Sequence, residues 1–267
     1  MKWALRALAA VVTLFAVLFL WQASRIMPMG SGYIAKTLCS EHYVGGRADL
    51  DEIWADILDV DSLFTWGNHE LDEATRTVSA WFGPGLARSS AVYREGLGCT
   101  LTAGRALDDL PGVAAPSEVA AMPFPVAVDS AAGLEAVLDE AFSEPTPTSH
   151  RRTRAVVVVH RGRIVAERYA PGFGPDTPLI GWSMTKSVTG TLIGMLVGDG
   201  LLALDDPAPV PEWQAADDPR GAITLRHLLQ MSSGLDFEEV YEPGSDATNM
   251  LFHEPGAAAI AASAPLA

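Results

Sequence analysis

The chain has 267 residues, of which 49% are hydrophobic and 19% charged, a composition that argues against a largely disordered protein. Its formal net charge is −15. Because the first 25 residues hold three basic side chains and no acid, the rest of the chain is more acidic still. Such a body repels phosphate backbones, so the charge argues against a nucleic-acid partner.

The N-terminus has the composition of a targeting segment. Lys2 and Arg6 precede an apolar run over residues 7–21. The run fits a signal-peptide core and is slightly shorter than the roughly 20 residues that usually cross a bilayer. Trp21 stands where a cleavage site needs a small side chain, so we predict an uncleaved inner-membrane anchor near residues 7–23, with the body in the periplasm. A cleaved signal, which would leave a periplasmic or secreted body, remains the alternative.

Two cysteines, Cys39 and Cys99, lie in the part of the chain expected to be exported. An oxidising compartment favours a disulfide between them. Two unpaired buried thiols are the alternative.

We expect three parts along the chain: residues 1–25 as anchor or signal peptide, 26–148 as an exported N-terminal region, and 149–267 as the start of a catalytic domain. Within the second part, patterning predicts a linker, a helix, two short strands around a Gly-Pro-Gly turn, a connecting loop and a second helix. In chain order these are residues 26–50, 49–59, 75–81 and 90–93, 110–125, and 131–142.

The third part begins with a predicted hairpin. Residues 155–160 (AVVVVH) are apolar on both faces, which is typical of a central strand, and residues 164–169 return as its partner. A helix over residues 183–197 follows. Because it is small and apolar almost all round, we expect it to be buried.

Ser183 and Lys186 form the motif S-x-x-K at the start of this helix. Positions i and i+3 share a helix face, so the lysine amine can reach the serine hydroxyl. Serine needs a base to become nucleophilic, and lysine can serve if burial lowers its pKa. Lysine occurs in this chain only at positions 2, 36 and 186. A lysine on an apolar helix therefore suggests a chemical role, and we predict Ser183 and Lys186 as the catalytic pair.

Other catalytic patterns fit poorly. The segment GWSMT lacks the last glycine of G-x-S-x-G because Thr185 occupies its place. There is no P-loop or dinucleotide fingerprint, and the histidines show no metal-ligand spacing. The sequence therefore implies neither a metal nor an organic cofactor. The histidines are His42, His69, His150, His160, His227 and His253.

Residues 181–213 (GWSMTKSVTGTLIGMLVGDGLLALDDPAPVPEW) resemble the nucleophile helix and following loop of serine β-lactamase and penicillin-binding-protein-like hydrolases of the class C type. Residues 223–237 (ITLRHLLQMSSGLDF) resemble that family's next helix, and Met231 points to its 6-aminohexanoate-dimer hydrolase-like branch. The resemblance covers roughly residues 150–267. It implies an α+β fold, with an antiparallel sheet flanked by helices and a helical subdomain.

The resemblance also implies an acyl-enzyme mechanism on an amide, ester or β-lactam in a small or peptide-like substrate, with the Ser183 amide as half of an oxyanion hole. The family's later tyrosine motif and its K-T-G or H-x-G strand do not occur before Ala267, and Tyr241 is interpreted as a loop residue. We therefore expect the natural protein to continue, and this chain alone to be inactive. The alternative function is a non-catalytic, membrane-tethered sensor that binds peptidoglycan or β-lactams.

Overall fold

A computed structural model describes residues 2–106, 109–110, 112, 133–147 and 149–267. The described strands form two antiparallel sheets that are flanked by helices, an α+β architecture. The prediction of that fold class is confirmed. The predicted loop over residues 110–125 lies almost entirely outside the described residues.

The first helix, α1 (Lys2–Cys39), is 38 residues long and joins the apolar N-terminus to the folded body. Its first part is exposed, whereas Ile34 and Leu38 near its end are fully buried. The prediction of a linker over residues 26–50 is therefore wrong for residues 26–39. Gly30 allows α1 to pack closely on the sheet, because a Cβ at this position would lie 2.9 Å from the ring of Phe82.

The end of α1 packs on a four-stranded antiparallel sheet in the order β1-β2-β3-β4. The predicted strands around the Gly-Pro-Gly turn are confirmed as the central pair, β2 and β3, whereas the outer two were not predicted. The strands are β1 (Gly67–Asp72), β2 (Thr77–Phe82), β3 (Leu86–Arg94) and β4 (Gly98–Leu101).

The disulfide predicted between Cys39 and Cys99 is present and joins the last residue of α1 to β4. The two Cα atoms lie 6.0 Å apart, and both cysteines are buried. The bond belongs to the core between helix and sheet. It therefore ties the long N-terminal helix to the sheet, on the side of the core away from the apolar N-terminus.

Helix α2 (Leu50–Leu58) confirms the helix predicted over residues 49–59. The carboxylate of Asp49 caps it by accepting hydrogen bonds from the amides of Asp51 and Glu52. The apolar face of α2 is fixed by Ile53 and Ile57, which are both fully buried. A π-helical turn over Ser40–Val44 precedes this helix, and a 3₁₀ turn over Ser62–Trp66 follows it.

The C-terminal part begins with α3 (Glu135–Phe142) and the hairpin of β5 (Ala155–His160) and β6 (Arg163–Tyr169), so the predicted helix and hairpin are confirmed. Within the described residues β5 pairs only with β6, and Val157 and Val159 remain nearly half exposed. The prediction that β5 is a central strand is not met, because no other described segment pairs with its free side.

Helix α4 (Met184–Gly198) follows a loop rich in proline and glycine. The remaining helices are short and surround a small core. This core comprises Ala208, Trp213, Ile223 and Leu225, and the indole of Trp213 donates a hydrogen bond to the carbonyl of Ala262. The helices are α5 (Leu225–Leu229), α6 (Asp246–Phe252) and α7 (Ala257–Ser263), with 3₁₀ turns over Pro211–Trp213 and Pro219–Ala222.

Among the described residues, the N-terminal and C-terminal parts meet at several places, which include a helix crossing and a cluster of ion pairs. At the first, α6 lies against α1 so closely that a Cβ at Gly32 would overlap the carbonyl oxygen of Phe252. At the second, Asp56 of α2 accepts hydrogen bonds from Arg47 at 2.7 Å and from Arg154 at 2.9 Å. These contacts join the C-terminal part to both α1 and α2.

Candidate active site

The turn before α4 sets the position of Ser183. Trp182 has a φ of +41°, in the left-handed region that bulky side chains rarely adopt. Ser183 then begins the helix, and its hydroxyl makes no capping hydrogen bond. The amides of Met184 and Thr185 donate back to the carbonyls of Gly181 and Trp182, whereas the amide of Ser183 has no backbone acceptor among the described residues. A strained residue beside an uncommitted hydroxyl and amide is a common arrangement at active sites.

Lys186 lies one turn along α4, and its amide donates to the carbonyl of Ser183 at 3.0 Å. Its ammonium, however, donates a 2.9 Å hydrogen bond to the carboxylate of Glu239. This hydrogen bond, together with the charge of Glu239, raises the pKa of Lys186 above its usual value. The side chain is 57% exposed. The condition under which lysine can serve as a base, a pKa lowered by burial, is therefore not met in the described arrangement.

Two residues that the sequence did not assign lie near the pair. Glu239 and Tyr241 come from the segment between α5 and α6. Tyr241 belongs to no helix or strand, as predicted for a loop residue, but its phenol is close enough to add to the raised pKa of Lys186. The sequence predicted that Tyr241 lies in a loop but not that this loop lies beside Ser183 and Lys186. No local sequence pattern indicates a contact between residues more than 50 positions apart.

A cavity of about 950 Å³ opens beside Ser183. Its wall includes Trp182, Ser183 and Tyr241 from the C-terminal part and a stretch of α1 from Gln22 to Gly30. Most of the remaining wall is aliphatic or aromatic, and Phe252 links the two sides because its ring makes edge contacts with both Tyr33 and Trp182. The candidate nucleophile therefore faces an apolar cavity that the two parts of the chain build together.

The body of α4 is not buried by the part of the chain that the structure describes. Val188, Leu192 and Met195 are each more than half exposed. The prediction of a buried helix is therefore not met, because no described element packs against this face.

Comparison with known proteins finds similarity in the C-terminal part. Residues 138–267 match the family model described as Beta-lactamase. A 6-aminohexanoate-dimer hydrolase of Paenarthrobacter ureafaciens is 33% identical over 98 residues, which cover 35% of this chain and 24% of that protein. The chain thus aligns with about a quarter of the relative's length. Both findings confirm the resemblance noted from the residues around Ser183.

Proposed function

We propose that this protein is a serine hydrolase that cleaves an amide or ester bond through an acyl-Ser183 intermediate. The observation that carries the proposal is the position of Ser183, at the first turn of α4, one turn before Lys186 and in the wall of the cavity. The match of residues 138–267 to the Beta-lactamase family model and the similarity to a protein named as a hydrolase support it.

In the first step the hydroxyl oxygen of Ser183 attacks the substrate carbonyl, and its proton passes to the amine of Lys186. The carbonyl oxygen gains negative charge, which the Ser183 amide and the positive end of the α4 dipole stabilise. The bond from the acyl carbon to the leaving amine or alcohol then breaks, and the leaving group takes that proton from the Lys186 ammonium. Water attacks the acyl group in the second step, which releases the acid and restores the serine.

Lys186 can accept this proton only as a neutral amine. Its hydrogen bond to Glu239 keeps it protonated. We propose that Lys186 separates from Glu239 in the catalytic cycle. Both residues are partly exposed, so breaking this ion pair costs little free energy.

We also propose that the body lies outside the cytoplasm, held by the N-terminal segment. Residues 10–44 contain a helix long and apolar enough to cross a membrane, and none of the described residues in its apolar window is buried. Lys2 and Arg6 precede this segment, which favours a cytoplasmic N-terminus.

The test uses the natural full-length protein in detergent. A fluorophosphonate probe should label Ser183, and 4-nitrophenyl acetate should be hydrolysed. Ser183→Ala and Lys186→Ala should each lower the turnover at least about 10³-fold. Lys186→Arg should fail equally, because arginine does not give up its proton at neutral pH. Ser187→Ala, an exposed serine on the same helix, is the matched control. Undiminished labelling of Ser183→Ala would place the nucleophile elsewhere.

The ion pair also favours a second candidate, a membrane-tethered binding module that uses the cavity without catalysis. A lysine that remains paired with Glu239 is a poor base. Stable ligand binding, with no Ser183-dependent turnover or labelling by any ester or fluorophosphonate, would support this candidate instead.

A further inference from the structure

The wall of the cavity beside Ser183 is formed mostly by aliphatic and aromatic residues. Among the described residues that line it, Asp61 alone carries a charge. Its carboxylate already accepts a hydrogen bond from the amide of Leu63, which caps the 3₁₀ turn. The hydroxyl of Thr248 is likewise engaged, by the carbonyl of Glu242. The described wall therefore offers no cation to a carboxylate-bearing ligand.

The wall is also continuous with the membrane segment. Gln22 and Ala23 line the cavity and end the apolar segment over residues 7–23, and Ile26 is less than one helical turn beyond it. With residues 7–23 in a bilayer, the cavity lies at the level of the membrane surface.

The rim carries exposed apolar side chains that a water-facing rim would not favour. Val60 is 61% exposed, Leu63 is 51% exposed and Trp66 is 74% exposed. Trp182, beside the nucleophile, is 51% exposed. Tryptophan is enriched at the boundary between membrane and water, where its ring lies among the headgroups.

From these observations we infer that the substrate is an acyl ester or amide with a long hydrocarbon chain, which enters from the membrane surface. The chain occupies the apolar cavity, and the carbonyl lies at the hydroxyl of Ser183. This inference rests on the proposed hydrolase function. It adds that the substrate is recognised by hydrocarbon burial and not through a carboxylate, so short polar esters and β-lactams are poor substrates.

The test measures kcat/KM for 4-nitrophenyl esters with acyl chains of increasing length, from acetyl to dodecanoyl, on the full-length protein in amphipol. Each added methylene that enters the cavity should raise kcat/KM about fourfold until the cavity is filled. Leu63→Glu places a charge in the wall and should remove this dependence. Leu97→Glu changes an exposed leucine in the turn between β3 and β4, away from the cavity, and should retain it.

A flat dependence on chain length, with Ser183-dependent turnover of the acetyl ester, would overturn the inference and leave the proposed function intact. If no ester is hydrolysed, the proposed function fails. A binding measurement then decides whether the cavity is a site for a hydrocarbon chain. The uncharged methyl ester of dansyl-labelled undecanoic acid should then bind Ser183→Ala, and more weakly when Leu63→Glu is added. Equal binding by the two variants would overturn the hydrocarbon site.

Discussion

The ammonium of Lys186 donates a 2.9 Å hydrogen bond to Oε1 of Glu239, a residue 53 positions further along the chain. This contact stabilises the protonated lysine and raises its pKa. A proton acceptor at Ser183 needs the opposite state. Under the proposed mechanism, the pair therefore sets the pH at which Lys186 can accept the proton of Ser183.

Glu239→Gln should shift the pH dependence of Ser183 acylation. The substitution removes the negative charge, so the pKa of Lys186 falls, and the neutral amine is populated at lower pH. The rate of acylation, measured by stopped-flow labelling with a fluorophosphonate, should therefore begin to rise at lower pH than in the wild type. Glu238→Gln, an exposed neighbour with no effect on the pKa of Lys186, is the control. An unchanged profile in Glu239→Gln would show that this contact does not govern the base.

Removal of the disulfide should destabilise the N-terminal part. Cys39 and Cys99 are separated by 60 positions, and a loop of that length corresponds to about 4 kcal/mol in the chain-entropy model. Replacement of both cysteines by serine should lower the free energy of unfolding by up to this amount in chemical denaturation. The wild type under reducing conditions should show a similar loss. Peptide mapping of exported protein without reductant that found two free thiols would contradict the pairing.

The orientation in the membrane should follow the N-terminal charges. A reporter that is active only in the periplasm, fused after Ala267, should be active, and one that is active only in the cytoplasm should be silent. Replacement of Lys2 and Arg6 by glutamate should reduce the periplasmic signal, because it removes the positive charge that holds the N-terminus inside. A strong cytoplasmic signal from the unaltered protein would overturn the topology.

Much of the fold could be predicted where local patterns carry it. The cap at Asp49, the Gly-Pro-Gly turn and the hairpin after Arg154 each gave the correct element. Strand β1 was not predicted because its sequence, GNHELD, is polar and its side chains alternate between partly buried and exposed. The helical end of α1 was not predicted because Gly30 and Gly32 have low helix propensity. Their close packing in the tertiary structure outweighs this low propensity.

The residues of the candidate site also fall into those that local sequence spacing predicts and those that it does not. Ser183 and Lys186 could be proposed together because three positions on one helix fix their proximity. Glu239 and Tyr241 could not, because their approach depends on how the segment between α5 and α6 folds back. The state of Lys186 was mispredicted for that reason, since its pKa depends on a partner that the local sequence does not reveal.

Replacement by alanine should change the free energy of unfolding in opposite directions at two glycines, Gly32 where α1 crosses α6 and Gly194 in α4. In an exposed helix interior, replacement of glycine by alanine stabilises by up to about 1 kcal/mol, because glycine has more conformational freedom to lose on folding. Gly194 in α4 has open space around its Cα, so Gly194→Ala should raise the free energy of unfolding. At Gly32 the new Cβ would overlap the carbonyl of Phe252. Gly32→Ala should therefore push α6 away from α1 and lower the free energy of unfolding by about 1–3 kcal/mol.

Because Phe252 also contacts Trp182, displacement of α6 should disturb the cavity beside Ser183 as well as the stability. Thermal unfolding of the two variants and their rates of fluorophosphonate labelling would measure both effects. We expect Gly32→Ala to melt earlier and to label more slowly, while Gly194→Ala melts later. If Gly32→Ala proved as stable as the wild type, the two helices would not pack as closely in solution as the structure has them. The cavity between them would then lack one of its walls.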